Sequence, residues 1–227
     1  MKITHHPDEA TLMSFAAGSL AEPLAAIVAT HMSLCPSCRR DVAMLDMLGS
    51  CLVDTLDATP LEKPAPDAGT LRSQTEAAGA DTAKSSRDAA AFRDLDDLSG
   101  NVPEPLVRLV GPSLDNIAWK RLGYGIWHYP LPLSMSGKGD LRLFKVAPGQ
   151  VMPEHGHGGA EMTLLLRGSY SDEFGRFGPG DVADLDEDAE HQPIADPEVG
   201  CICLIASVER AKFKSLLARI VQPFTGL

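Results

Sequence analysis

GQVMPEHGHGGAEMTLLLRG, residues 149–168, decides how the second half of the chain is built. Glycine and proline punctuate its start, and its end, MTLLLRG, is an apolar run of strand length. Between them stand His155, His157 and Glu161, in the order His-x-His-x3-Glu. Alternate residues of a strand share a face, so His155 and His157 point inward together. Glu161 follows a Gly158–Gly159 bend and returns to the same point. His191, the only histidine further downstream, comes from a later strand. Three imidazoles and a carboxylate, with water completing the shell, suit zinc, manganese, iron or nickel.

The surrounding sequence repeats this texture. From about residue 101 onward the chain reads as short strands broken by Gly and Pro: LRLFKVAPG, then MTLLLRGSY, then GCICLIASV. Many short strands with turn signals predict a sandwich or small barrel. The tail, AKFKSLLARIVQPF, has room for a short helix. Cys201 and Cys203 share one strand face and are expected to point into the barrel near the His/Glu group, as small core residues or as oxidation-sensitive thiols. His128 is expected to be an ordinary strand residue, and the acidic run DLDEDAEH, 184–191, a solvated loop.

The first half is different. Pro7 can open a helix with Asp8 and Glu9 in its first turn, and Gly18 can stop it. A second helix is expected over Glu22–Leu34, with Leu24, Ile27, Val28 and His31 at helical spacing. A third starts near Pro36 and runs through Val42, Leu45, Leu48 and Leu52, with Cys51 expected in its core. Three short helices make a thin core, and domains this small generally need a staple such as a metal.

The staple is written in HMSLCPSC, residues 31–38. Cys35 and Cys38 can share one ion at a helix start, where the thiolate form is favoured. His31 sits one helical turn before Cys35 and reaches the same point. A tetrahedral structural site needs a fourth ligand, and His5 and His6 are both candidates. A redox Cys-x-x-Cys expects a strand before it in a βαβ setting, and here the preceding segment is helical.

Between the halves, residues 57–87 are dominated by Pro, Ala, Asp, Gly, Ser and Thr, the composition of a linker. DAAAFRDLDDL, 88–98, can form one more amphipathic helix. The expected organisation is therefore multidomain α + β. Residues 1–100 form a small metal-binding helical domain, with the linker-like 57–87 inside it, and residues 101–227 form a small β-barrel.

Bulk properties exclude several classes. A net charge of −11 argues against direct nucleic-acid binding and suits a protein that covers a basic surface on a partner. No apolar run approaches the ~20 residues of a membrane span, and MKITHHPDEA lacks the apolar core of a signal peptide. A cytoplasmic protein is expected. Its five cysteines then read as ligands, sensors or core residues rather than disulfides.

The motifs also carry a resemblance. Gly149, His155-x-His157, Glu161 and Gly168 match the spacing of the first cupin motif. The second motif departs from the pattern: Asp186 and Asp188 replace the usual Pro and Gly before His191, and no Asn follows. HHPDEATLMSFAAGSL and IVATHMSLCPSCRR resemble the ChrR-type anti-sigma factors, which join a zinc-binding anti-sigma domain to a C-terminal cupin. That resemblance implies zinc on His6, His31, Cys35 and Cys38, with His5 a neighbour. It implies a second metal on His155, His157, Glu161 and His191. It also implies that residues 1–100 hold an extracytoplasmic-function-type sigma factor, which the cupin releases on singlet oxygen or organic peroxide, with no catalytic residues. The alternative is a metal-dependent cupin dioxygenase carrying the zinc module as an accessory.

Overall fold

The computed structural model describes residues 2–57, 101–134, 138–156, 158–209 and 212–213, with single positions 59, 67, 69 and 72. Most of the linker-like segment, the helix expected over 88–98, the tail beyond 213 and His157 lie outside the described residues. Met1–Gly49 and Leu95–Leu227 together form one compact unit, and Ser50–Asp94 form another.

Three helices open the chain: α1 (Glu9–Ala16), α2 (Glu22–Leu34) and α3 (Pro36–Asp54). Helix α1 begins two residues after Pro7 because Asp8 is its cap, the carboxylate accepting from the Thr11 N–H at 2.6 Å. Gly18 follows the helix with φ 67°, as a stop should. Helix α2 has proline in its first turn, where a missing N–H costs nothing. Its Glu22 carboxylate accepts from the Ser134 N–H at 2.6 Å and the Ser134 hydroxyl at 2.5 Å, tying the helix start to the loop before β3. After a short α4 (Glu104–Val110) the chain becomes β.

The largest sheet is antiparallel, in the order β1 (Lys120–Gly123), β2 (Ile126–Pro130), β3 (Asp140–Val146), β11 (Cys201–Ser207), β5 (Glu161–Gly168), β8 (Val182–Leu185). A second sheet runs β10 (Ile194–Ala195), β6 (Tyr170–Asp172), β7 (Gly175–Phe177). A third runs β12 (Lys212–Phe213), β4 (His155–Gly156), β9 (Glu190–His191). Lys212–Phe213, near the start of the tail, pair with β4.

Strand parity creates two cores. On β3, β5 and β11 one face carries Phe144, Val146, Leu165, Cys201 and Cys203 toward the barrel interior. The opposite face carries Leu141, Leu143, Met162, Leu164, Leu166, Ile202, Leu204 and Ala206 outward. That outer face is not wet. Leu24, Ile27 and Val28 of α2 and Leu106 of α4 belong to the same apolar cluster, and α2 packs directly on β11, β5 and α4. Burial on both faces explains why MTLLLR reads as a continuous apolar run rather than an alternation. Ile27 and Val28 are wholly buried, and each such side chain contributes about 1.5–3 kcal/mol of transfer free energy.

Candidate metal centres

The first group forms where α2 hands over to α3. Cys35 is the C-terminal cap of α2, and its N–H still donates to the His31 carbonyl at 2.8 Å. Cys38 lies in the first turn of α3, so both sulfurs face back toward His31. The His31 Nε2 to Cys38 Sγ distance is 3.2 Å. His6 completes the set, its Nδ1 lying 3.5 Å from Cys35 Sγ and 3.3 Å from Cys38 Sγ. One donor atom from each of the four lies within 4.8 Å of every other. Tetrahedral zinc, with bonds of about 2.3 Å to sulfur and about 2.0–2.1 Å to nitrogen, separates unlike donors by about 3.5 Å. The observed spacings match that cage, so the residues fit a tetrahedral ion.

The electrostatics agree. Burial, with the neighbouring His6 charge, pulls the His31 pKa down to about 4 despite the Gly180 carbonyl. The ring is therefore neutral, and with Nδ1–H donating to the Gly180 carbonyl at 2.8 Å its Nε2 lone pair faces the sulfurs. Burial, then the adjacent Cys35, pushes the Cys38 thiol up to about 12. Without a cation this pocket does not hold a thiolate, so binding a metal there releases protons. His5 takes no part. It stacks on Phe177 with centroids 4.4 Å apart, and its Nδ1 lies 3.6 Å from Asp181. Geometry separates the two histidines where spacing could not.

The second group lies inside the barrel. His155 on β4 and His191 on β9 are direct cross-strand partners, which brings their Nε2 atoms to 3.2 Å. Glu161 opens β5 on the inward parity and completes a group whose donor atoms also lie within 4.8 Å of one another. His155 Nδ1 donates to the Pro153 carbonyl at 2.9 Å, and His191 Nδ1 to the Asp172 carboxylate at 2.8 Å. Both rings thus turn Nε2 inward, the arrangement expected of metal-ligating histidines. A cavity of about 470 Å³ adjoins the group, lined also by Arg142, Tyr170, Cys201 and Cys203. The Tyr170 hydroxyl is buried with no hydrogen-bond partner among the described residues. Cys201 and Cys203 are buried. The hydrogen bond that its S–H donates to Cys201, together with burial, holds the Cys203 thiol well above its ordinary range.

Similarity to known proteins places this arrangement in a family. The description "ChrR cupin-like domain" belongs to a family profile that matches residues 110–210. The anti-sigma-E factor ChrR of Cereibacter sphaeroides is 38% identical over 224 residues, 99% of either chain. The chain belongs to the ChrR family of anti-sigma factors. A crystal structure of Rhodobacter sphaeroides SigE in complex with the anti-sigma ChrR contains a similar chain, with TM-score 0.70 and 35% identity. The match covers 91% of this chain and 99% of that one. As in that ChrR fold, N-terminal helices bearing the His/Cys group precede an antiparallel, cupin-like β domain.

For a ChrR-family chain the sequence reading overlooked the residues that support the donors. Asp172, on the inward parity of YSD, orients His191 and is fully buried. Asp181 and Asp184 bind the backbone around His6. The run 184–191 is thus only partly a solvated loop: Asp184 and Leu185 belong to β8, and burial raises the Asp184 carboxyl pKa against the Asp8 N–H that lowers it. His128 lies on β2, as expected. Cys51 is exposed rather than in a core, as are Leu48 and Leu52 on the same helix. Among the described residues no helix is long and apolar enough to cross a membrane.

Proposed function

We propose that the protein is a zinc-dependent, cytoplasmic anti-sigma factor. Residues 1–100 bind and inhibit an extracytoplasmic-function-type sigma factor. Residues 101–227 are a cupin sensor that releases it under oxidative stress, from singlet oxygen or organic peroxide. The observation that carries this reading is the exposed apolar face of α3. Met44, Met47 and Leu48 are 65%, 70% and 57% exposed, and they rise from the helix that the His/Cys group anchors. Single exposed apolar residues are ordinary, but a stripe of them on one helix marks a docking surface. Family membership and the likeness to the ChrR chain bound to SigE support a sigma factor as the occupant.

Zinc would sit on His6, His31, Cys35 and Cys38, where it supplies a structural cross-link. The two cysteines and His31 fix the α2–α3 corner, and His6 ties the N-terminal segment to it, so the ion sets the angle at which α3 leaves. In the cupin, His155, Glu161 and His191, joined by His157 of the His-x-His motif, would hold zinc or another divalent ion such as manganese, iron or nickel. The adjoining cavity gives a small molecule access to these groups.

The test uses the full chain and a panel of purified extracytoplasmic-function sigma factors, with binding measured by calorimetry before and after zinc chelation. One partner should bind with zinc and lose affinity without it. Met47→Glu should weaken binding at least tenfold while leaving the fold intact. Retained affinity in both the chelated protein and Met47→Glu would sink the reading.

A further inference from the structure

The backbone around the first donor group is held by the cupin. Asp181, 4% exposed, lies at the corner between β7 and β8. Its Oδ1 accepts from the Thr4 N–H at 2.6 Å and the His5 N–H at 2.9 Å, and its Oδ2 accepts from the Gly178 N–H at 2.9 Å. Burial alone would raise this carboxyl's pKa. The N–H groups of Gly178, Thr4 and His5, and His5 itself, outweigh burial and hold it below the usual value. Next to it, the Val182 N–H donates to the His5 carbonyl at 3.1 Å, and the Asp8 N–H donates to Asp184 Oδ2 at 3.1 Å. His6 is therefore bracketed on both sides by hydrogen bonds to one four-residue stretch of barrel, 181–184.

The same corner holds the second imidazole. The Gly180 carbonyl accepts from His31 Nδ1 at 2.8 Å. Gly180 has φ 89°, a conformation that side-chain-bearing residues rarely adopt. Both histidines of the first group thus depend on residues 180–184, although neither belongs to the cupin. Strand β8 then continues to Leu185, the cross-strand partner of Glu161. One short strand touches the support of the first group at its start and pairs with Glu161 of the second group at its end.

We infer that Asp181 is a positioning residue for the first metal group, and that β8 couples the two groups. Asp181 touches no donor atom. It fixes the backbone from which His6 reaches the sulfurs, while the Gly180 carbonyl fixes the ring of His31. Outer-shell partners of metal ligands typically change metal affinity 10–100-fold when removed. Coupling through β8 is reciprocal: a metal at the cupin group alters affinity at the first group by the factor that the first alters the second. The inference rests on metal binding by the His/Cys group and is independent of sigma binding.

The test measures cobalt(II) on the full chain by competition with a chelator, following the thiolate-to-cobalt absorption that the double change Cys35→Ser with Cys38→Ser should abolish. Asp181→Ala should weaken that site roughly tenfold or more. Asp181→Asn keeps one acceptor oxygen for Thr4 and His5 and should recover part of the loss. Thr4→Pro removes one donor without altering the barrel, so it decides the matter if Asp181→Ala disturbs folding, as judged by the tryptophan fluorescence melt. Glu161→Gln should shift first-site affinity in the wild-type background but not in Asp181→Ala. Variant affinities within twofold of wild type, with the wild-type absorption present, overturn the inference alone. No thiolate absorption in the wild type overturns both the inference and the zinc reading. Intact cobalt behaviour with no sigma binding would leave the inference standing and remove the anti-sigma reading.

Discussion

Replacing Ile27 by Ala tests whether the helices and the barrel are one cooperative body. Ile27 is wholly buried in the cluster that joins α2 to the outer face of β5 and β11. Truncation removes three methylene-sized groups, about 2.4 kcal/mol at ~0.8 each. The sheet behind the site is paired on both sides and cannot close in. A void of roughly 75 Å³ left unrelaxed would add ~1.8 kcal/mol. The expected loss therefore lies between about 2.4 and 4 kcal/mol. In a chain of this length each kcal/mol moves the melting temperature by about 2–4 °C, so the midpoint should fall by roughly 5–16 °C. Both tryptophans, Trp119 and Trp127, lie after α4, so intrinsic fluorescence follows the β half. Met47→Ala, at an exposed position, is the control and should stay within about 0.5 kcal/mol. If Ile27→Ala leaves the tryptophan transition within 2 °C of wild type, roughly the measurement error against the shift expected above, the helices fold apart from the barrel and the shared core is refuted.

Three further outcomes follow from the geometry. Asp172→Ala removes the acceptor that orients His191 and should lower metal affinity at the cupin group about 10–100-fold, read by isothermal titration, with unchanged affinity counting against the arrangement. Because the Asp181 pKa is lowered on folding, its contribution is present above the unfolded carboxylate value of about 3.9 and lost as pH falls through the folded value. The melting difference between wild type and Asp181→Asn should therefore shrink below about pH 4, and a difference that grows there would reverse the sign. Cys51, exposed, should react with a thiol reagent in the native protein, while Cys201 and Cys203 wait for unfolding; equal rates for the three would contradict their burial.

Much of this was legible because it depends on period. The stripe Leu24, Ile27, Val28, His31 marked α2, strand parity put Cys201 and Cys203 on one inward face, and the Gly158–Gly159 bend returned Glu161 to the same interior. His155 and Glu161 could be grouped because they lie six residues apart on adjoining strands, whereas His191 had to be inferred from composition alone. What stayed hidden depends on distant pairing. Asp181 meets Thr4 across 177 positions, and Asp172 meets His191 between strands of two different sheets, a contact that no local pattern announces. Nor could spacing choose between His5 and His6, since the choice is made by Phe177 and Asp181 holding His5 on the barrel.

The misplacement of Cys51, which lies beside the exposed Leu48 and Leu52, has a different origin. Helix α3 has an apolar stripe of helical period, and such a stripe ordinarily means core. Period reports only that a face is apolar; it does not say what covers it. Val42 is buried in the shared cluster and Leu45 packs against it, but Met44, Met47, Leu48 and Leu52 are exposed. The first third of α3, beside Cys38, belongs to the chain's own core, and beyond it the apolar surface turns to solvent. An intramolecular core element would place its apolar residues in the cluster along its whole length. A docking element rooted in a metal corner would bury its base and present its far end, and α3 does the second. The sequence error and the proposed sigma-binding face are therefore one observation. Introducing a glutamate at Met44, Met47 or Leu48 should weaken partner binding without lowering the melting temperature, whereas the same change at Val42 should lower both.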